Sequence, residues 1–256
     1  MLKNSKVNCI NPKIKIPRTF FIRVSAILSL FLVYSLTIKA KSYEYMPDII
    51  VPLTNKTNWQ ILKFSKLPAN EVEFTDQGLK VKVKKSSSPI IFPLERPTKI
   101  YGFKARGKIL SGNLKISKKG IQGSKKADDF VFKLGLVQKG KETLSWMRRQ
   151  VAASWVIKLF SLAPKGTGIK NIRFFNIVQY KEDVGKKRTH PLSDLLVEEN
   201  VAAIIKESGE FKMQQSFTPP ANDPIETLAV WLSVDGDETG SEYQVLIEDI
   251  SLIQHN

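Results

Sequence analysis

Cysteine occurs once in the 256 residues, at Cys9, and histidine only twice, at His190 and His255. This scarcity excludes whole classes of chemistry. Past residue 9 no thiol is available for a disulfide, a thiolate metal site or a cysteine nucleophile. Two histidines without an H-E-x-x-H or any paired spacing leave no zinc-hydrolase ligand set. There is no G-x-S-x-G for a serine nucleophile, and a triad would have to recruit His190 from residues 185–191 (GKKRTHP), which read as a solvated basic loop. A Walker loop and a G-x-G-x-x-G are also missing. Lys165-Gly166-Thr167-Gly168 has two glycines, but it follows a helical pattern, whereas a phosphate cradle ends a strand and opens a helix. The segment reads as a helix stop.

What is present begins with an address. Lys3, Lys6, Lys13, Lys15, Arg18 and Arg23 form a basic stretch without an acid, followed by an apolar run over residues 24–38 (VSAILSLFLVYSLTI) and then Lys39-Ala40-Lys41-Ser42. Basic, apolar, then small is the order of a secretory signal, and the run fits an h-region better than the roughly 20 residues of a membrane span. Cleavage is expected before Tyr43 or just after Ala40. The rival reading is an uncut anchor, with Phe20, Phe21 and Ile22 extending the run and Arg23 snorkelling to the interface. Charge asymmetry then leaves the N-terminus inside and the rest outside. Both readings divide the chain into a leader, residues 1–42, and one exported domain, residues 43–256. They place that domain in the periplasm or cell envelope, free or held by a single anchor in the inner membrane. Cys9 precedes the apolar run, where a lipidated cysteine has no use.

The leader holds eight of the 40 basic residues, which reduces the net charge of +16 to +8 for the remaining chain. A moderately basic exported surface serves solubility in the plainer reading, and otherwise suits an anionic envelope component, lipid headgroup or acidic glycan; export argues against nucleic acid.

Strand signals dominate the domain. Residues 78–84 (GLKVKVK) alternate, with Leu79, Val81 and Val83 on one face and three lysines on the other. Further strands are expected at 59–64, 90–92, 99–105, 130–137, 172–179, 201–205 and 211–217. The last two, 228–234 and 243–253, are expected to pair around a turn at 235–240. Residues 112–113 and 118–126 read as loops. One helix is expected over about 142–163, with Leu144, Met147, Val151, Trp155, Leu159 and Leu162 at spacings of three and four. Trp146, Trp155 and Trp231 lie in apolar patterns and are expected in the core. Many short strands, frequent turn signals and one inserted helix predict a mainly β, jelly-roll-like antiparallel sandwich.

Two sets of residues stand out as candidate sites. Trp59, Asp128 and Asp129 are candidate ligand contacts: an aromatic ring stacks on sugars if it is exposed, and an acidic pair opens a central strand. Asp235, Asp237 and Thr239 alternate before Gly240, a spacing of hard oxygen donors that suits calcium. The EF-hand pattern itself fails, because its bidentate glutamate position falls on Leu246. The competing reading is a turn in which Asp and Gly supply side-chain caps and positive φ.

The stretch WLSVDGDETGSEYQVLIEDISLI resembles the end of an uncharacterised bacterial family of exported proteins, in which an apolar strand enters a D-x-D-x-T-G turn and a second strand follows. The strand around Trp59 and the pair Asp128-Asp129 are similar to that family as well, while the helix at 142–163 departs from it. The resemblance implies a jelly-roll-like sandwich of the carbohydrate-binding-module kind, with no catalytic residues to carry over. The function expected from the sequence is therefore a non-catalytic envelope module that binds a glycan or an anionic component. The alternatives are a glycan hydrolase or lyase working through paired carboxylates, and a membrane-tethered accessory protein that binds another protein.

Overall fold

The computed structural model describes residues 46–191, 193–217 and 223–255. The leader expected over residues 1–42 lies outside them. Among the described residues no helix is long and apolar enough to cross a membrane.

Among the described residues thirteen strands and two short α-helices follow one another: β1 (Ile49–Ile50), β2 (Gln60–Ile61), β3 (Glu71–Thr75), β4 (Gly78–Lys84), β5 (Ile90–Ile100), β6 (Gly102–Asn113), β7 (Phe132–Gly140), α1 (Trp146–Val151), α2 (Ser154–Phe160), β8 (Gly168–Val178), β9 (Lys187–His190), β10 (Ser193–Ala203), β11 (Glu210–Ser216), β12 (Ile225–Ser233) and β13 (Glu242–Ile253). One sheet has the order β11-β6-β13-β4-β3, with β1 added on β13. The other has the order β2-β5-β12-β7-β8-β10-β9. The two sheets enclose the main core and make a jelly-roll-like β-sandwich. All pairs are antiparallel except β8 and β10, which run parallel, so the seven-stranded sheet is mixed rather than purely antiparallel as the sequence suggested.

Period-two alternation builds the core. Leu79, Val81 and Val83 of β4 are buried, as are Phe132, Leu134 and Leu136 of β7. Aromatic rings bridge the sheets. Phe103 of β6 meets Phe175 of β8 at 4.9 Å, and Phe132 of β7 stacks on Phe211 of β11 at 5.4 Å. The lysine face of β4 is matched by edge strand β3, where Glu73 pairs with Lys80 at 2.7 Å and Glu71 with Lys84 at 3.0 Å. That sheet's outer face is thus a solvated ladder of opposite charges.

Several expectations are corrected. Residues 90–92 and 99–105 are not separate short strands. β5 runs through Pro93 and Pro97 to Ile100, and β6 begins at Gly102. Proline is tolerated because β2 pairs only with Ile90 and Ile91, which leaves the rest of that side of β5 as an edge. Residues 112–113 end β6 rather than forming a loop, and the basic loop 185–191 contains edge strand β9. The strands at 228–234 and 243–253 do not form a pair: β12 lies in the seven-stranded sheet and β13 in the six-stranded one. Residues 234–241 therefore cross from sheet to sheet. Beside them Ser86, Ser87 and Ser88 make the crossing from β4 to β5, buried and bonded to the first crossing by Gly236 N–H to Ser86 O at 3.1 Å and Ser87 Oγ to Asp235 Oδ1 at 2.8 Å.

The single helix over 142–163 becomes two, broken at Ala152 and Ala153, whose ψ angles are 142° and 147°. Alanine favours helix, so packing decides the break. α2 lays Leu159 and Trp155 on the outer face of the seven-stranded sheet, against Val137, Ile172, Ala229 and Trp231. This makes a second, smaller core. α1 buries nothing, and Trp146 is 75% exposed rather than in the core.

Candidate functional site

The outer face of the seven-stranded sheet can be read in cross-strand rows. One row runs Ala229, Val137, Ile172, Leu196. The next runs Ile91, Trp231, Gly135, Phe174, Glu198, Arg188. The third runs Ser233, Lys133, Asn176, Asn200. Row one is apolar throughout, row two passes from apolar to charged, and the third is polar throughout. α2 covers the apolar part. Gly135 leaves room for the edge-on contact of Phe174 and Trp231 at 5.8 Å, since a Cβ there would fall 2.6 Å from the Phe174 ring.

The polar end gathers charge around Lys133. Its ammonium lies 2.7 Å from Asp235 Oδ2 and 3.9 Å from Glu198 Oε1. Arg188 of β9 donates from Nε to Glu198 Oε2 at 2.7 Å and pairs with Asp128 through Nη2. His190, two residues along the same strand, brings Nε2 to 3.4 Å from Asp128 Oδ2. Asp235 Oδ1 accepts from Ser233 Oγ at 2.6 Å and Ser87 Oγ at 2.8 Å. The rings of Phe130 and Phe174 lie 5.0 and 5.7 Å from the Lys133 nitrogen, and Phe130 is 5.9 Å from the Arg188 guanidinium.

Asp129 is buried and holds the crossing chain. It accepts from Thr239 N–H and Oγ1, both at 2.6 Å, and from Glu238 N–H at 3.3 Å. In return Asp128 N–H donates to Glu238 Oε2 at 3.0 Å. The acidic pair and the 235–240 turn, read separately in the sequence, thus form one structure. The Tyr243 hydroxyl, buried beneath it, donates to Asp235 O at 2.7 Å.

Burial and like charge perturb these groups. Burial pushes the Asp237 carboxyl up, and the neighbouring carboxylates of Asp235 and Asp129 push it further, to about 6. Burial also raises Asp129, despite its bonds from Thr239. Burial opposes ionisation of Asp128, but the His190 bond and the charges of Lys133 and Arg188 outweigh it and hold the carboxyl below its usual value. Burial alone would lower the Lys133 ammonium; Asp235, Glu198 and Asp128 reverse this and raise it.

The shift of Asp237 has a measurable consequence. Between pH 4 and 6 the folded state holds a proton that the unfolded chain has released, so this group lowers stability as pH rises through that window. Asp237→Asn is expected to stabilise the fold at pH 7–8 by on the order of 1 kcal/mol after discounting for solvent screening, and to give no gain at pH 4. Urea unfolding at the two pH values checks it. An equal effect at both would refute the assigned cause.

The expected site residues are thus divided. Trp59 is buried, its N–H bonded to Pro52 O at 2.7 Å and its ring against Phe74 and Phe92, so it is a core residue and not a stacking platform. Asp128 and Asp129 sit at the cluster. Asp235 bonds Lys133, Ser87 and Ser233, and Thr239 bonds Asp129 and Ser241. Among the described residues no group of three or more His, Cys, Asp or Glu side chains is placed to hold a metal. His190 is no solvated loop residue; its side chain is 22% exposed and faces Asp128.

Lys133, Arg188 and Glu198 were not singled out from sequence. Lys133 had a signal, a lone cation between Phe132 and Leu134 in an apolar strand. Arg188 and His190 had another, the two-residue spacing that puts both on one side of a strand.

No protein-family model matches the chain, and no curated protein does. Among solved structures it is similar to a family 11 carbohydrate-binding module from Clostridium thermocellum in complex with a β-1,3-1,4-mixed-linked tetrasaccharide (TM-score 0.39, 8% identity, covering 82% of this chain and 97% of that one). It is also similar to the xylan-binding module CBM15 (TM-score 0.33, 8% identity, 82% and 97%). At these scores the likeness assigns neither a ligand nor a residue.

Proposed function

We propose that this chain is a non-catalytic binding module that takes a neutral glycan at the half-open rim formed by Asp128, Arg188, His190 and Asp237. The observation that carries the reading is the charge arrangement of the cluster. Five carboxylates, of Asp128, Asp129, Glu198, Asp235 and Asp237, stand against two permanent cations, and the carboxylates bond both cations. An anionic ligand needs cations to spare, which this rim lacks. Sugar hydroxyls both donate and accept, and a rim of carboxylate, guanidinium and imidazole edges offers both. The leader motif supports export, which would place the module in the cell envelope.

Carboxylate-dependent hydrolysis or lysis is the second reading, favoured by Asp237, whose carboxyl is pushed up to about 6 by burial and by Asp235 and Asp129. It needs a second acid free to act. Asp129, Asp235 and Asp128 are all engaged in hydrogen bonds or ion pairs, which supports binding over turnover.

The test is a glycan array probed with the full chain, followed by titration of any ligand found. His190→Ala and Asp237→Ala are expected to weaken a neutral glycan at least tenfold while leaving thermal unfolding cooperative. Binding only to acidic glycans, or binding that neither variant weakens, would reject the site. Release of new reducing ends would reject the non-catalytic reading.

A further inference from the structure

α1 has no structural task in the sandwich. All six of its residues are exposed, and Trp146, Met147 and Val151 show 75%, 73% and 86% of their surface to solvent. No other large apolar side chains among the described residues are so open. At about 100° per residue, Trp146, Met147 and Val151 occupy one half of the helix, and Arg148 and Arg149 the other. A helix of one and a half turns has little stability of its own. It is held by its Ser145 cap, whose hydroxyl accepts from Arg148 N–H at 3.4 Å, and by the anchored α2.

Charge concentrates in the same segment. Between β7 and β8, residues 141–167 contain five basic residues and one acid, Glu142. All five are exposed. The segment carries a net charge of +4 and includes the most exposed apolar side chains of the described residues. The excess is opposite in sign to that of the Lys133 cluster.

We infer that α1 is a membrane-docking element that seats Trp146, Met147 and Val151 at the headgroup boundary of an anionic phospholipid bilayer. Arg148 and Arg149 reach back to lipid phosphates from the polar half, with Lys141, Lys158 and Lys165 around them. Apolar side chains on one half of an exposed helix and cations on the other are the features by which an interfacial helix holds an anionic surface. Tryptophan belongs at that boundary because its ring is apolar and its N–H is not. Arginine side chains provide the charge complementarity. The inference is independent of the glycan reading.

Lipid quenching of Trp146 tests it with the full chain in vesicles. Trp59 and Trp231 are buried and Trp155 is half-buried, so the difference between the wild type and Trp146→Phe isolates the emission of Trp146. Vesicles with brominated acyl chains containing phosphatidylglycerol are expected to quench that emission at least threefold more than vesicles of phosphatidylcholine alone. Arg148→Glu with Arg149→Glu is expected to bring the quenching down to the phosphatidylcholine level. Because α1 contributes no buried residue, these variants should unfold at the wild-type temperature, which shows that any loss is local. Equal quenching in the two kinds of vesicle, or none in either, overturns the inference. So does protection of Trp146 from acrylamide by a soluble oligosaccharide without vesicles, which would give the patch to a glycan instead.

Discussion

Lys133→Ala is expected to cost about 3–5 kcal/mol of folding stability, a large fraction of what a domain of this size has. The Lys133 side chain is 13% exposed, and those of its partners Asp235 and Glu198 are 5% and 2% exposed. Removing the ammonium leaves those carboxylates facing each other in a poorly solvated site. Their mutual repulsion, with Asp128 and Asp237 close by, is then opposed chiefly by Arg188, which pairs with Glu198 and Asp128. The penalty is one of uncompensated charge, so it should depend on pH in a defined sense. Lowering the pH from 7 toward 4 lets the orphaned carboxylates take up protons, and the gap between variant and wild type should narrow. Lys133→Met combined with Glu198→Gln and Asp235→Asn, which removes the charges together, should recover much of the loss. Urea denaturation of the three proteins across pH measures this. A loss below 1 kcal/mol, or one independent of pH, would show that the cluster is open enough for water to replace the lysine.

Trp231→Ala is the second large effect, at about 3–5 kcal/mol for emptying a buried tryptophan site. It should also release a specific part of the molecule. Trp231 is 4% exposed and meets Trp155 of α2 edge-on at 5.7 Å and Phe174 at 5.8 Å. It is one of the sheet residues that hold α2, beside those packed around Leu159, and α2 is joined to α1 through Ala152 and Ala153. Limited trypsin digestion should therefore cut the variant at Arg148, Arg149 and Lys158 under conditions where the two-sheet core survives. Cleavage spread evenly over the chain would mean that the smaller core and the main core fold as one cooperative unit. Docking of α1 on vesicles should weaken in the same variant, since an unanchored segment loses the orientation of its tryptophan.

Local pattern made much of the fold legible. The alternation of β4 showed which residues face the core, because side chains on a strand change sides at every step. The sandwich class followed from many such segments separated by turns. Pairing was not legible in the same way. Residues 228–234 and 243–253, with a turn between them, have the pattern of a hairpin, yet they lie in different sheets. Nothing local distinguishes a turn that reverses a strand within one sheet from a link that crosses to the other. The difference lies in distant partners, the Ser86–Ser88 crossing and the Asp129 carboxylate. The helix over 142–163 misled for a related reason: its apolar periodicity continues through α1, but only α2 meets a surface.

The site divides along the same line. The rarity of histidine and cysteine by itself left residues 43–256 without a thiol and the chain without three histidines for a metal centre. That conclusion concerns inventory and needs no coordinates. The sequence also marked Asp128, Asp129 and the 235–240 turn, because acids are conspicuous where an apolar strand begins or ends. Only the tertiary structure decided that these two segments bond each other. It placed Lys133, Arg188 and Glu198 among them and sent Trp59 to the core and Trp146 to the surface. Ionic clusters and exposure depend on which strands become neighbours. That is settled by the free energy of the whole sandwich and not by any short window of residues.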